Sequence, residues 1–248
     1  MITDISTEFK KARIAVLSET AVTEGVGGLS EKSVHKMLKL TLEPNSKNHE
    51  VKFLGSIADI KNDNGIYEIQ SKSPERLIKK LDKFLPVSRV TLVIPIISEK
   101  YIRWINTETG EISEPRKSPA REDVYTALKA LAPIAHYLEN ENFSVKLVFL
   151  RADQYKRLDG WDKSKKRGAS KSDRIPSDIL SVIDIASPCD AAKFFPESLN
   201  GVFLAKDFAK AIKRPSRFTY YVIKFFENLG IVEMIGKEGR AFLYKTNI

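Results

Sequence analysis

Two stretches, "RVTLVIPIIS" at residues 89–98 and "FSVKLVFL" at residues 143–150, constrain the fold of this chain more than any others. Their apolar side chains follow one another with little alternation, the pattern of a strand buried on both faces. Such strands need helices above and below them. The segment "LSEKSVHKMLKLTLEP" predicts one, with Ser30 as N-cap, Pro44 beyond its end and an apolar stripe of Val34, Leu38, Thr41 and Leu42. "SPERLIKKLDKFL" predicts a second, with Ser73 capping and Pro74 in the first turn. A third covers roughly 121–139 and is kinked at Pro133. Strands are expected at 49–54, 56–61 and 66–72. The order helix, three-strand meander, helix, buried strand, helix, buried strand suits an α/β fold with a mixed central sheet flanked by helices.

Outside that block the chain changes character twice. Residues 1–28 are polar and weakly patterned, an N-terminal extension with one short helix near 8–18 and a hinge at "EGVGG". From Val202 onward, "LAKDFAKAI", "KRP", "SRFTYYVIKFFENLG" and "IVEMIGKEGRAFLYK" read as helix, turn, helix and β-hairpin with its tip at 236–239. That is the signature of a winged helix-turn-helix. The expected division is thus 1–28, a core domain at 29–190, and a C-terminal module at 201–248.

No apolar stretch is long enough to span a bilayer, and the N-terminus lacks the apolar run of a signal peptide. The single cysteine, Cys189, excludes an intramolecular disulfide and a cysteine-based zinc site. A reducing cytoplasm is the expected location.

The formal charge of +9 is unevenly placed. Residues 151–174 hold nine Lys/Arg against four Asp/Glu, and residues 201–248 hold the same numbers, whereas the remainder holds 23 against 24. Cations gathered in two segments fit a polyanionic partner; a basic surface with no dedicated partner is the alternative. In 151–174, expected to be a loop, Tyr155 and Trp161 punctuate Lys163, Lys165, Lys166, Arg167 and Lys171. In the C-terminal module Arg214, Arg217, Thr219 and Tyr220 lie at the start of the expected recognition helix, where base edges are approached. Lys224, with Lys237 and Arg240 on the wing, would meet phosphates. A second copy of the chain is a further candidate partner.

"ADIKNDNGIYEIQSKS" at 58–73 carries the chemistry. Asp59 sits in one strand, Asn62-Asp63-Asn64-Gly65 turns the chain, and Glu68, Gln70 and Lys72 share a face of the next. The pattern is either a solvated hairpin face or a site. As a site, two carboxylates and a main-chain carbonyl form an all-oxygen set suited to Mg²⁺.

The stretch resembles the PD-(D/E)XK, or restriction-endonuclease-like, nuclease superfamily. Glu31 matches its helical acid, Asp59 its metal-binding Asp, and Glu68 the acid of its third strand. The resemblance implies Mg²⁺ or Mn²⁺ on Asp59 and Glu68 with the Ile69 carbonyl. Gln70 and Lys72 would position water or phosphate, and Glu31 would support a second metal or a metal-bound water. Gln70 stands where Lys is usual, so Lys79 or Lys80 on the following helix is a candidate for the missing ammonium. The whole chain resembles bacterial proteins that join this core to a C-terminal winged helix; "RKSP" (116–119), "GW" (160–161) and "DRIP" (173–176) look like further signatures of them. A DNA nuclease is the implied function. An inactive nuclease-fold regulator or adaptor and an RNA-directed protein are the alternatives.

Binding to nucleic acid is expected to weaken steeply with salt as counterions are released. Fluorescence anisotropy between 50 and 200 mM salt, a range over which roughly six phosphate contacts cost about a thousandfold in affinity, measures it. A flat salt response would return the basic segments to ordinary surface.

Overall fold

The computed structural model describes residues 2–23, 31–106, 108–161 and 167–247, with the side chains of 2, 3, 20–23, 31, 32, 157–161 and 167–173 outside that description. Its centre is a seven-stranded mixed sheet. β1 (His49–Phe53), β2 (Ser56–Asn62) and β3 (Gly65–Ile69) form an antiparallel meander. β3 then pairs in parallel with β4 (Val90–Ile105), and β4 in parallel with β6 (Phe143–Trp161). β7 (Arg167–Ile185) returns antiparallel to β6, and the two-residue β5 (Arg116–Lys117) lies on the far part of β4.

The apolar runs behave as their pattern demands. Leu92, Ile94 and Ile96 point into one core, while Val93 and Ile97 point into another on the opposite face. α1 (Ile2–Thr23) and α2 (Glu31–Leu42) cover the second core through Phe9, Val16, Val34, Met37 and Leu38. α3 (Ile78–Phe84) and α4 (Val124–Leu131) cover the first through Leu81, Phe84, Leu128 and Leu131. The architecture is therefore mixed α/β, with a central mixed sheet flanked by helices. Among the described residues no helix is long and apolar enough to cross a membrane.

The turn between β2 and β3 sets their register. Asn62 pairs with Gly65, which has φ of 128°. A Cβ at Gly65 would lie 2.6 Å from the Arg89 carbonyl oxygen, the atom that accepts from the Ile66 N–H. Only glycine lets β3 approach the start of β4 this closely.

Several expectations change. The N-terminal extension is a 22-residue helix, not a short one, because Phe9, Ala12 and Val16 give it a buried stripe. Ser73 is left-handed, with φ of 54°, and makes no side-chain cap; Pro74–Leu77 is a 3₁₀ turn ahead of α3. Ser30 lies outside the described residues. The kink at Pro133 is real: α4 stops at Leu131 and Ala132–Glu139 continues as 3₁₀ helix. Within the segment expected to be a loop, residues 151–161 and 167–174 are strand. They supply the outer arms of β6 and β7, 19 residues each, or roughly 60 Å at about 3.3 Å per residue.

After α5 (Pro188–Ala192), the last residues form β8 (Val202–Leu204), α6 (Ala205–Ala211), α7 (Ser216–Glu227), β9 (Val232–Glu238) and β10 (Ala241–Thr246). The strands make a separate sheet in the order β8-β10-β9. Glu238 pairs with Ala241, so the hairpin turns at Gly239-Arg240, beyond the expected tip. This unit shares its interior with the main domain: Phe208, Ile223, Phe225 and Phe226 join one core with Leu128, Leu131 and Ala135. The Asn228 side chain donates to the Ala132 carbonyl at 2.7 Å, and the Arg214 guanidinium pairs with Asp123 at 2.5 Å. Residues 201–248 thus complete the core.

Phe226, fully buried against Phe195, Phe208 and Phe225, reports this continuity. Phe226→Ala is expected to cost about 3–5 kcal/mol. Denaturant melts followed by far-UV circular dichroism and by tryptophan emission from the β4 and β6 arms should shift together. Separate transitions would mean the C-terminal unit folds independently.

Candidate active site

The β2–β3 ladder opens where the candidate acids stand. Regular pairing ends at Ile60–Tyr67, and the next facing positions in that register are Asp59 and Glu68. The amides of Ile66, on β3, and of Gln70, just beyond it, bond to the carbonyls of Arg89, just before β4, and Val93, within it. β3 ends at Ile69 and not at the expected residue 72, so Gln70 and Lys72 do not continue the strand face of Glu68. The Ile69 amide, two residues on from Tyr67, points the other way, toward β2. There it donates to the Asp59 carboxylate at 2.7 Å instead of to a main-chain carbonyl. The Asp59 side chain thus occupies the gap between the diverging strands.

His35 meets the same oxygen. α2 buries Val34, Met37 and Leu38, which leaves His35 on its flank, and its Nε2 donates to Asp59 Oδ2 at 3.0 Å. Burial opposes ionisation of Asp59. The His35 hydrogen bond and charge, the Ile69 amide and the Lys80 ammonium outweigh it and hold the carboxyl below its usual range.

Glu68 has the opposite balance. It is 2 % exposed, and burial pushes its carboxyl up to about 7 despite a 2.7 Å hydrogen bond from Lys80; the Asp59 charge adds to the rise. Lys80 comes from α3, one of the two helix lysines the sequence offered for the ammonium. Lys80 holds Oε2 of Glu68, the Asp59 main-chain amide also favours the ionised form, and Oε1 is buried with no hydrogen-bond partner among the described residues. Two facing carboxylates with pKa values driven apart is an arrangement typical of acid–base and metal sites.

The remaining candidates separate. Gln70 turns its amide to the carbonyls of Lys72 and Ser73, at 3.4 Å for the latter. Ile69 contacts Asp59 through its N–H. Glu31 begins α2, but its side chain lies outside the described residues. Beside His35 a cleft of about 1170 Å³ opens, and its wall includes Ile69, Gln70, Lys72 and Arg76. Among the described residues no group of three or more His, Cys, Asp or Glu side chains is placed to hold a metal. The available donors are the Asp59–Glu68 pair and nearby main-chain carbonyls.

The basic residues also divide. Thr219 is 1 % exposed, with its hydroxyl donating to the Pro215 carbonyl at 3.1 Å, so it cannot reach a base edge. Arg214 is committed to Asp123 and to the ring of Phe218, 5.1 Å away, and serves as a clamp on the main domain. Arg217 and Tyr220 are exposed at the start of α7, and Lys224 pairs with Glu227 at 2.9 Å. Lys237 lies over the Phe242 ring and Arg240 is exposed in the hairpin turn. Lys163, Lys165 and Lys166 lie outside the described residues; Arg167 and Lys171 are on β7, with side chains outside the description. In the sequence His35 is a lone histidine on a helix, a residue more often packed or at the surface than part of a site. Its place one turn beyond Glu31 was the signal for its role.

The two carboxyls should give the folded state opposite pH dependences. Asp59, depressed, contributes stability present above its ordinary pKa and lost on acidification through its lowered value. For Glu68, raised from 4.5 to about 7, the contribution is complete below about pH 4.5 and is lost as pH rises through about 7, on the order of 3 kcal/mol. Glu68→Gln in EDTA is therefore expected to melt higher than the parent at pH 8 and to lose that advantage by pH 5. An equal difference at both pH values would show that Glu68 ionises normally.

A Treponema pallidum (strain Nichols) protein described as "Uncharacterized protein" is 27% identical over 216 residues, covering 87% of this chain and 85% of its own length. No solved structure matches the chain. The model of the family described as "Domain of unknown function (DUF8091)" matches residues 32–186, from α2 to the end of β7 and with the Asp59–Glu68 pair inside it, and the chain belongs to that family.

Proposed function

We propose that the chain is a metal-dependent nuclease of the PD-(D/E)XK type that hydrolyses phosphodiester bonds, with DNA as substrate. The observation that carries this reading is the buried Glu68 carboxylate, with one oxygen held by Lys80 and the other without a partner among the described residues, at the position that faces Asp59 across an opened ladder. A buried carboxylate oxygen without a donor is costly, and a hard cation is the partner that would satisfy it. The residues present fit Mg²⁺ or Mn²⁺: Asp59 and Glu68 would hold it, with the Ile69 carbonyl. Such an ion neutralises charge on the phosphodiester and acidifies bound water.

The chain's own residues supply the rest. His35 and the Ile69 amide fix the Asp59 rotamer and keep it ionised. Lys80 holds Glu68 and brings to the pair the positive charge that Gln70 lacks. Lys72 and Arg76, in the wall of the neighbouring cleft, would meet substrate phosphates. The helix pair and hairpin of residues 201–248 would act as a winged helix, presenting Arg217, Tyr220, Lys237 and Arg240 to the duplex. The lone exposed Cys189 suits a reducing cytoplasm. The commitment of the Gln70 amide to main-chain carbonyls favours one second reading, an inactive nuclease-fold adaptor that binds DNA.

The test is cleavage of supercoiled, linear, branched and single-stranded DNA at low salt, with Mg²⁺ and then Mn²⁺. Asp59→Asn and Glu68→Gln should each lower the rate at least 100-fold and leave DNA affinity unchanged or tighter. Lys80→Ala should lower it more than Gln70→Ala. Cleavage that survives both carboxylate changes would overturn the assignment. No cleavage, together with calorimetric Mn²⁺ binding equal in parent and Asp59→Ala, would leave the adaptor.

A further inference from the structure

The cleft beside His35 is walled by three parts of the chain. α1 and α2 give Ala15 and Lys36, the 3₁₀ turn at Ser46–Asn48 and β1 give Ser46 and Glu50, and the segment after β3 gives Ser71 and Arg76. The walls are tied together. Lys36 of α2 pairs with Glu19 of α1 at 2.6 Å, and Lys39 of α2 pairs with Glu50 of β1. Those pairs neutralise the cations they use, so shape and not surplus charge distinguishes the cleft.

The candidate acids lie behind it. His35 and Ile69, which both donate to Asp59 Oδ2, line the cleft. The Asp59 side chain is 15 % exposed and Glu68 only 2 %. A phosphodiester that is to meet them has to come in past His35 and Ile69. The space is about 1170 Å³, about 10.5 Å across if it were a cube, which is narrower than the major groove alone of a duplex, about 12 Å. A single strand advances about 3.4 Å per phosphate, so roughly three nucleotides fit. The described walls hold no Phe, Tyr or Trp on which a base could stack, so a strand here would be held through its backbone. Every described wall residue falls within 15–76. The C-terminal unit, packed with α4 on the opposite face of the sheet from α1 and α2, adds none and builds no duplex platform here.

We infer that this cleft takes an unpaired DNA strand and shuts out the intact duplex. A paired strand carries its complement with it and is too broad to enter between walls held by ion pairs. An unpaired strand turns freely about its backbone and can bring one phosphate down to the recessed acids. Arg76, exposed on the wall, is placed to meet a phosphate of that strand. The inference rests on the nuclease reading for its choice of ligand, but it concerns entry and binding, and needs neither metal nor cleavage.

The experiment is anisotropy in EDTA with the full chain, using labelled oligo-dT and a blunt hairpin duplex. Ala15→Trp/Ser71→Trp puts two rings into the cleft with no change of charge. It should weaken oligo-dT binding at least tenfold and leave duplex binding as in the parent. Ile14→Trp, on the same helix but outside the cleft, should change neither. Arg76→Gln should lower the log–log salt slope for oligo-dT by about 0.7, the value of one phosphate on a single strand. Melting curves show whether each variant is folded, and Ser71→Trp alone, at an exposed bend, repeats the test if the double variant does not fold. No binding of oligo-dT by the parent, equal weakening of oligo-dT and duplex, or no weakening of either would overturn the inference. So would a duplex that displaces oligo-dT as well as unlabelled oligo-dT does. If the metal-loaded protein cleaves no DNA while the filled cleft still loses oligo-dT alone, the nuclease reading falls and the cleft assignment stands.

Discussion

The hydrogen bond from the Ile69 amide to the Asp59 carboxylate is the contact around which the candidate site is arranged. A strand amide facing a neighbour must find an acceptor. Here a side chain supplies it, and the two strands need not stay in register beyond Ile60 and Tyr67. The opening makes room for Glu68 to sit buried against α3 while Asp59 is held from α2. The two helices lie on opposite sides of the sheet, and the gap lets their polar groups, Lys80 and His35, address facing carboxylates.

Charge is handled in two ways across the molecule. At the site, burial and partners drive two carboxyls apart, so that one is kept ionised and the other is near balance at neutral pH. Along one face of the outer strands, acids neutralise arginines and lysines in short networks. Surface pairs of the second kind contribute little to stability.

The central sheet was legible because burial on two faces leaves a dense apolar run, and the meander because "NDNG" is strong turn chemistry. Asp59 and Glu68 stood out as acids on neighbouring strands, but their spacing alone fits a solvated hairpin face equally well, and it was the resemblance that singled them out as a pair. The outer arms of β6 and β7 were not: strands with little core beneath them carry no apolar alternation, and their Gly, Asp and Lys content looks like a loop. α1 was underestimated because its buried side chains are few and separated by charges. Arg214 and Thr219 illustrate a different limit. Helix position shows that they lie near the N-terminal end of α7, but not that Asp123 on a distant helix cap would capture one and burial the other.

The shared core has a consequence for synthesis. Domains emerge and fold N-terminal end first. Here Leu128 and Leu131 of α4 and Ala135 of the 3₁₀ helix after it share a core with Phe225 and Phe226, and the face they turn to those rings stays open until the rings arrive about ninety residues later. While the chain is still on the ribosome that face is open to water, and to any chaperone or neighbouring nascent chain. A later segment closes that face, so a translation product cut short before residue 201 would be sticky as well as incomplete.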